Sequence, residues 1–148
     1  MKWDSFIRWG AAIVGAVVGT VQDSWSGVLT FLLILNIMDY VTGVVCAMVG
    51  KSSKTVGGSL SSAVGFAGIA KKFFIWAIII LATCVDRFVI GNGTTVQSAA
   101  AMFYAANEAL SVIENCALIG LPVPAFLRTM LEVMRDKSNS GGKDGTSG

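Results

Sequence analysis

Apolar segments long enough to cross a lipid bilayer recur along this chain and constrain its fold more than any other feature. A transmembrane helix needs about 20 predominantly apolar residues. The runs at 25–49 and 73–90 are near or above that length, and shorter or more polar runs occupy 9–23 and 98–121. Hydrophobic residues make up 54% of the 148 residues, more than a water-facing globule of this size can bury. We therefore expect an all-α integral membrane protein.

The first apolar run leaves the number of transmembrane helices open between three and four. Its uncharged core is short and follows basic residues, as in a secretory signal peptide. No A-x-A-like cleavage site follows, so we favour an uncleaved span. Ala11, Gly15 and Gly19 are spaced four residues apart, a pattern that lets two helices approach closely in lipid. We expect these small residues to form a helix-packing face.

The positions of lysine and arginine predict the orientation of the spans. The segment 50–72 contains four lysines and no acidic residue, whereas the short segments around Asp23 and at 91–98 contain no basic residue. Because basic loops stay in the cytoplasm, we predict that 50–72 is a cytoplasmic loop and that both termini are cytoplasmic. Residues 1–124 would form the membrane domain. Residues 125–148 would form a short cytoplasmic amphipathic helix and a flexible tail.

Polar side chains in the fourth run share one side of the predicted helix. At 100° per residue they occupy an arc of roughly 120°. This polar stripe consists of Tyr104, Asn107, Glu108, Ser111, Glu114 and Asn115. Ala101, Ala105 and Ala109 recur four residues apart elsewhere on the helix, which suits close helix contact in lipid.

The second and third runs also contain polar positions. In the second run, one face lies within roughly 100° and contains Asn36, Asp39, Tyr40, Gly43 and Ala47. In the third run, Asp86 and Arg87 lie near the end of the segment. Adjacent residues do not face each other on a helix, so these two need separate partners or water.

Ionised side chains at these depths are costly. A carboxylate at the centre of a membrane helix costs about 2.5–3.5 kcal/mol on insertion scales, and apolar packing requires no such cost. We therefore predict that Asp39 and Glu108 meet water or polar partners in at least one state, and that polar strips from several copies line an aqueous pore. A simpler alternative stays open, in which the amides and the serine of the stripe only form hydrogen bonds between helices.

Composition excludes several other classes of function. The chain has no histidine, which excludes imidazole metal ligands and histidine general bases. Cys46, Cys84 and Cys116 are widely spaced and show no metal-ligand or redox pattern. The glycines of 50–72 form no nucleotide-binding motif, and a net charge of +2 is too small to indicate nucleic acid binding. We expect no catalytic residue, no metal and no cofactor.

Four blocks of sequence, in order, resemble the toxin-secretion/phage-lysis holin family. They are "NIMDYVTGVVCAMV", "SSAVGFAGIAKKF", "VDR" and "FYAANEALSVIENCALIGLPVP". The resemblance covers roughly residues 30 to 130 and is specific because the four blocks occur together. It includes the D-Y-x-T-G block that starts at Asp39 and the N-E-x-L-S-x-x-E-N block from Asn107 to Asn115.

The resemblance implies a small phage-encoded protein of the host bacterial cytoplasmic membrane. Such proteins oligomerise with copies of themselves and open lesions that release an endolysin, and some relatives release a toxin. A small proton-coupled transporter is an alternative, because membrane carboxylates relay protons, although the chain shows no inverted repeat. A holin-inhibiting membrane subunit is a further alternative, since inhibitors often share sequence with the holin that they block.

Overall fold

The computed structural model of the chain describes residues 2–91 and 93–140. Within these residues every regular element is helical and no strand occurs, which confirms the all-α prediction. The α-helices, in chain order, are α1 (Lys2–Asp23), α2 (Gly27–Met48), α3 (Ser62–Cys84), α4 (Thr95–Leu118) and α5 (Ala125–Ser140). A short 3₁₀ turn, Val56–Gly58, precedes α3, and a π-helical turn, Val85–Ile90, continues it. The flexible tail was predicted at 138–148; residues 138–140 belong to α5 instead, and 141–148 lie outside the described residues.

Two helical segments of the described chain are long and apolar enough to cross a membrane. They are Gly27–Met48, which is α2, and Ser62–Ile90, which is α3 with its π-helical extension. At 1.5 Å per residue they measure about 33 Å and about 43 Å, against a hydrocarbon thickness of about 30 Å. The segment predicted at 9–23 lies in α1, and the one predicted at 98–121 lies in α4 as far as Leu118. Neither helix is as apolar as the two segments above. The total number of spans therefore stays a prediction.

The third helix begins earlier than the sequence indicated. Residues 62–72, which the prediction assigned to the basic loop, form the first half of α3. The predicted boundary was based on hydropathy, and two lysines and two glycines lower the mean hydropathy of this stretch. Three alanines favour the helix and two glycines disfavour it, so tertiary contacts rather than backbone propensity decide where α3 starts. The connection between α2 and α3 is therefore shortened to 49–61.

The buried core lies between α2, α3 and α4. Its members are Leu29, Leu32 and Leu35 of α2, Ile75 and Ile79 of α3, and Ala101, Ala105 and Ala109 of α4. The most extensive contact joins α2 to α4, where the small alanine side chains let the leucines of α2 pack against the helix. In lipid such packing stabilises by van der Waals contact rather than by exclusion of water. The alanine face of α4 thus sets its distance from α2.

The connection between α2 and α3 folds back against the end of α2. Gly58 has a φ of +74°, and a Cβ at this position would lie 2.1 Å from the carbonyl oxygen of Gly50. Only glycine accommodates both the left-handed backbone and this close approach. The N–H of Ser52 donates to the carbonyl of Gly58 at 3.1 Å. These contacts hold the segment 51–55 beside the C-terminal half of α2.

The first and last helices are the most exposed. Helix α1 contacts α3, but Ala11 and Gly15 are exposed, Gly19 is half-buried, and no described atom lies within 4 Å of a Cβ built at either glycine. The predicted packing face of α1 therefore has no partner within the described part of the chain. Helix α5 contacts α4 and exposes apolar side chains, namely Phe126, Leu127, Met130 and Val133. The side chains of Leu131, Met134 and Arg135 lie outside the described ones.

Candidate functional site

A network of charged side chains, in which both carboxylates are buried, lies where α2, α3 and α4 meet. Asp39 of α2 is 5% exposed and Glu108 of α4 is 0% exposed. Lys72 of α3 joins them, because its Nζ donates to Asp39 Oδ2 at 2.8 Å and also to Glu108 Oε2. The Nζ of the adjacent Lys71 donates to Glu108 Oε1 at 3.0 Å. Two carboxylates and two ammonium groups therefore balance one another inside a single chain. We call these four residues the charge network.

Hydrogen bonds extend this network around Asp39. The Nδ2 of Asn115 donates to Thr42 Oγ1 at 3.0 Å and to Asp39 Oδ1 at 3.4 Å. The Ser111 side chain also lies near the Asp39 carboxylate. Through these contacts Asp39 connects α2 to α4 as well as to α3.

A second set of hydrogen bonds surrounds Glu108. In the amide orientation that satisfies its neighbours, Asn36 donates from Nδ2 to Glu108 Oε2 at 3.1 Å. Its carbonyl oxygen accepts from Trp76 Nε1 at 3.2 Å. The ring of Trp76 in turn stacks on Trp25, with centroids 5.8 Å apart. Glu108 is thereby held by groups from both α2 and α3.

The physical cost of burial explains why these partners occur together. Removing a carboxylate or an ammonium group from water costs several kcal/mol per ion, and only good geometry with further hydrogen bonds offsets that cost. Separating α3 from the other two helices would leave Asp39 and Glu108 without their lysines. The charge network is therefore stable in two situations: when the three helices remain packed, or when water reaches the carboxylates.

Only part of the predicted polar stripe of α4 faces the neighbouring helices. Glu108 and Asn115 lie at the edge of the stripe nearest the alanine face and are buried. Tyr104, Asn107 and Ser111 are half-buried. Glu114, at the opposite edge, is exposed. The contact surface is thus narrower than the polar stripe, and rotated toward the alanines.

Two members of that stripe make local contacts. Asn107 donates from Nδ2 to the carbonyl of Phe103 on its own helix at 3.0 Å. Tyr104 packs at the edge of the hydrophobic core, with its ring edge-on to Phe103 at 5.1 Å. Neither residue contributes a described hydrogen bond to the charge network.

The predicted face of α2 points toward α4. Asn36, Asp39 and Ala47 are buried, whereas Tyr40 and Gly43 are half-buried. A Cβ built at Gly43 would lie 3.7 Å from the Nδ2 of Asn115, so this glycine faces the amide that bonds Asp39. The face that the sequence identified on α2 is therefore an interface within the chain.

Asp86 and Arg87 have separate partners at the other end of α3. Asp86 is 2% exposed and accepts hydrogen bonds from two N–H groups in the first turn of α4, those of Val96 at 3.0 Å and Gln97 at 2.8 Å. It satisfies donors that a helix leaves free at its N-terminus. Arg87 is exposed and lies 3.4 Å from Asp23 Oδ2. Asp86 thus fixes the start of α4 relative to α3.

Sequence reasoning missed the lysines that neutralise the network. Lys71 and Lys72 were counted only as loop charges that set orientation. A usable signal was present, because a buried carboxylate needs a cation and this pair directly precedes the third apolar run. Buried Thr83 and Gln97 were also missed. The Gln97 side chain donates from Nε2 to Thr83 Oγ1 at 2.8 Å, beside the Asp86 cap.

The chain is similar to several known proteins. The sequence profile of the bacteriophage holin family matches residues 16–136. A protein of Bacillus phage phi105 described as a probable holin is 33% identical over 111 residues, 75% of this chain and 76% of the phage protein. An uncharacterised protein of Halalkalibacterium halodurans is 32% identical over 136 residues, 89% of this chain and 96% of the relative. No solved structure has significant similarity to the chain.

The match includes the helices that build the charge network, since α2, α3 and α4 all lie inside residues 16–136. An uncharacterised 14.9 kDa protein of Clostridium perfringens, 33% identical over 134 residues, extends the similarity over 90% of this chain. Two apolar helices of membrane-spanning length agree with a bacterial membrane protein. The family resemblance seen in the four sequence blocks is confirmed, and the chain belongs to the bacteriophage holin family.

Proposed function

We propose that the protein is a holin that oligomerises in the bacterial cytoplasmic membrane and opens a path for an endolysin or a toxin. The charge network carries this proposal. In one packed chain its charges balance, and they leave the bilayer a largely apolar surface. An opening that moves α3 away from α2 and α4 exposes Asp39 and Glu108, which are then stable only against water. Two alternative packings of the same helices suffice for such a switch.

The same network favours a four-span arrangement, and the lysines of 50–72 favour both termini in the cytoplasm. Composition alone underestimates the ability of α4 to span, because the charge of Glu108 is paired inside the chain. The segment Ser62–Ile90 exceeds the hydrocarbon thickness by about 13 Å. Its first turns therefore extend on the cytoplasmic side, where the half-exposed Lys71 reaches the lipid headgroups. Helix α5 then lies on the cytoplasmic surface with its apolar side against lipid.

A neighbouring copy would occupy the small-residue face of α1. Ala11 and Gly15 are exposed there, and Gly19 is half-buried. Small residues at four-residue spacing permit close approach of helix backbones in lipid. Copies that meet through α1 would leave α2, α3 and α4 free to rearrange.

Release of a co-expressed cytoplasmic muralytic enzyme tests the proposal. The wild-type protein is expected to release the folded enzyme and lyse the cells at a defined time. Because Glu108→Gln removes a charge that holds α3 against α4, we expect this variant to act earlier. Glu114→Gln is the matched control, since Glu114 lies on the same helix but is exposed. The amount of each variant in the membrane is measured in parallel.

Three results would contradict the proposal in different ways. If the wild-type protein does not release the enzyme, the proposed holin activity is contradicted and an inhibitory subunit is favoured. Passage of small solutes alone favours a transporter. Release by Glu108→Gln at the same time as by Glu114→Gln, at equal membrane amounts, removes the charge network from the mechanism.

A further inference from the structure

A small, partly open cleft of about 70 Å³ lies beside the charge network, between α2, the connection 49–61 and the first turns of α3. Asp39 and Lys72 lie at its buried end, and the Lys54 side chain, which is 53% accessible, brings its Nζ to within 3.9 Å of Asp39 Oδ1. Much of the wall is apolar and is formed by Val44, Ala47, Leu60 and Val64. The cleft therefore has apolar walls and contains charged groups.

The charges around this cleft do not balance. Within the charge network, Asp39 and Glu108 are matched by Lys71 and Lys72. Lys54 adds a further ammonium group, with its Nζ 3.9 Å from Asp39 Oδ1. Asp39 thus has two ammonium neighbours, Lys54 and Lys72, and the cleft carries one excess positive charge, which favours an anionic ligand.

A hydroxyl group without a described partner and the start of α3 belong to residues that line this cleft. The buried Oγ1 of Thr55, a residue that lines the cleft, forms no hydrogen bond with any described residue. Ser61 precedes α3, and its side chain does not cap the first turn of that helix. Ser61 and Val64 line the cleft, so this end of the helix lies at its edge. Free N–H groups at the N-terminus of a long helix, with the helix dipole behind them, attract phosphate and other oxyanions.

We propose that this cleft binds a phosphate group. Lys54 supplies the charge, and the Thr55 hydroxyl and the first turn of α3 supply hydrogen bonds. The single excess positive charge matches a phosphodiester, which carries one negative charge. The apolar wall suits the glycerol and acyl carbons of an anionic phospholipid, and the polar donors alone suit a soluble phosphate. The proposal concerns binding and holds whether or not the protein forms pores.

Native mass spectrometry of the full-length protein in detergent tests this proposal. The protein is titrated in separate series with short-chain phosphatidylglycerol and with inorganic phosphate. We expect Lys54→Gln to weaken binding about tenfold, because a hydrogen bond to a charged group is lost. Lys51→Gln is the matched control, since Lys51 is an exposed lysine of the same connection outside the cleft lining.

A second variant tests whether binding needs the open volume of the cleft rather than its charge. Gly65 lines the cleft, and a Cβ built there meets no atom within 4 Å, so Gly65→Leu fills the cleft without changing any charge. We expect it to weaken binding as strongly as Lys54→Gln while the helical circular dichroism stays unchanged. Binding of phosphatidylglycerol alone assigns the site to a lipid headgroup, and binding of inorganic phosphate assigns it to a soluble anion. If neither binds, or if Lys51→Gln weakens binding as much as Lys54→Gln, the proposal is wrong.

Discussion

Replacing Lys72 with methionine removes the ammonium group that contacts both buried carboxylates. Its side chain is 14% exposed, so solvent does little to screen the interaction. After Lys72→Met, Glu108 keeps Lys71 at 3.0 Å, whereas the remaining lysine near Asp39 is Lys54, 3.9 Å away. Breaking a buried ion pair from one side costs about 3–5 kcal/mol. Because Glu108 retains a partner, we expect the free energy of unfolding to fall by about 3 kcal/mol, the low end of that range.

The adjacent lysine provides a matched control. Lys71→Met makes the same chemical change one residue earlier, but the Lys71 side chain is 59% exposed and Glu108 keeps Lys72. An ion pair with such exposure contributes about 1 kcal/mol or less. Reversible unfolding in mixed micelles with increasing dodecyl sulfate, followed by circular dichroism, measures both variants. Equal losses for Lys71→Met and Lys72→Met would refute the assignment of Lys72 as the central cation.

A double variant separates loss of charge balance from loss of packing. Asp39→Asn combined with Lys72→Met leaves one carboxylate and one lysine in the network, Glu108 and Lys71. We expect this double variant to be more stable than Lys72→Met alone, by about 1–2 kcal/mol, within the usual range of coupling between contacting residues. If the double variant is less stable than the single one, the cost arises from lost side-chain packing and not from an unpaired carboxylate.

Three further changes test other parts of the structure by the same unfolding measurement. Asp86→Ala removes the carboxylate that caps two N–H groups of α4, and we expect the free energy of unfolding to fall by about 1–2 kcal/mol. Asp23→Ala, at an exposed ion pair, is expected to lower it by less than about 1 kcal/mol. Equal losses would contradict the capping role. Gly58→Ala is expected to destabilise more than Gly57→Ala, because both glycines have positive φ but only a Cβ at position 58 would clash with Gly50; similar losses would contradict the close approach. Ala105→Leu overpacks the contact between α2 and α4 and is expected to cost about 1–3 kcal/mol, and an unchanged stability would contradict that contact.

The helical periodicity of α4 was sufficient to locate the face that carries Glu108. A 100° repeat assigns each residue an angle, so the polar and alanine stripes could be identified without a structure. The repeat does not say which edge of a stripe is buried. That depends on where α2 and α3 pack, and the polar stripe proved wider than the contact, leaving Glu114 exposed. The repeat therefore gives the direction of each residue around the helix axis, while the depth of each side chain depends on the fold.

The lysines that pair with Asp39 and Glu108 could not be predicted from local sequence patterns. Lys72 lies 36 residues from Glu108 in sequence and reaches it only because α3 crosses both α2 and α4. Hydropathy also assigned Lys72 to a loop, since a lysine lowers the average of its window whether it faces water or a buried acid. The Asp86 cap is closer in sequence, but it still depends on the turn that places α4 beside the end of α3. Pairings of this kind follow from tertiary packing and not from spacing.

The time course of water access to the charge network tests the central claim most directly. A variant with Ser111→Cys and the native Cys46, Cys84 and Cys116 replaced by alanine places a thiol beside Asp39, and a membrane-impermeant maleimide is added before and during lysis. The account predicts no labelling before lysis and rapid labelling at its onset, when α3 leaves the carboxylates. Labelling that is equally fast before lysis, or that never occurs while the endolysin is released, would contradict it.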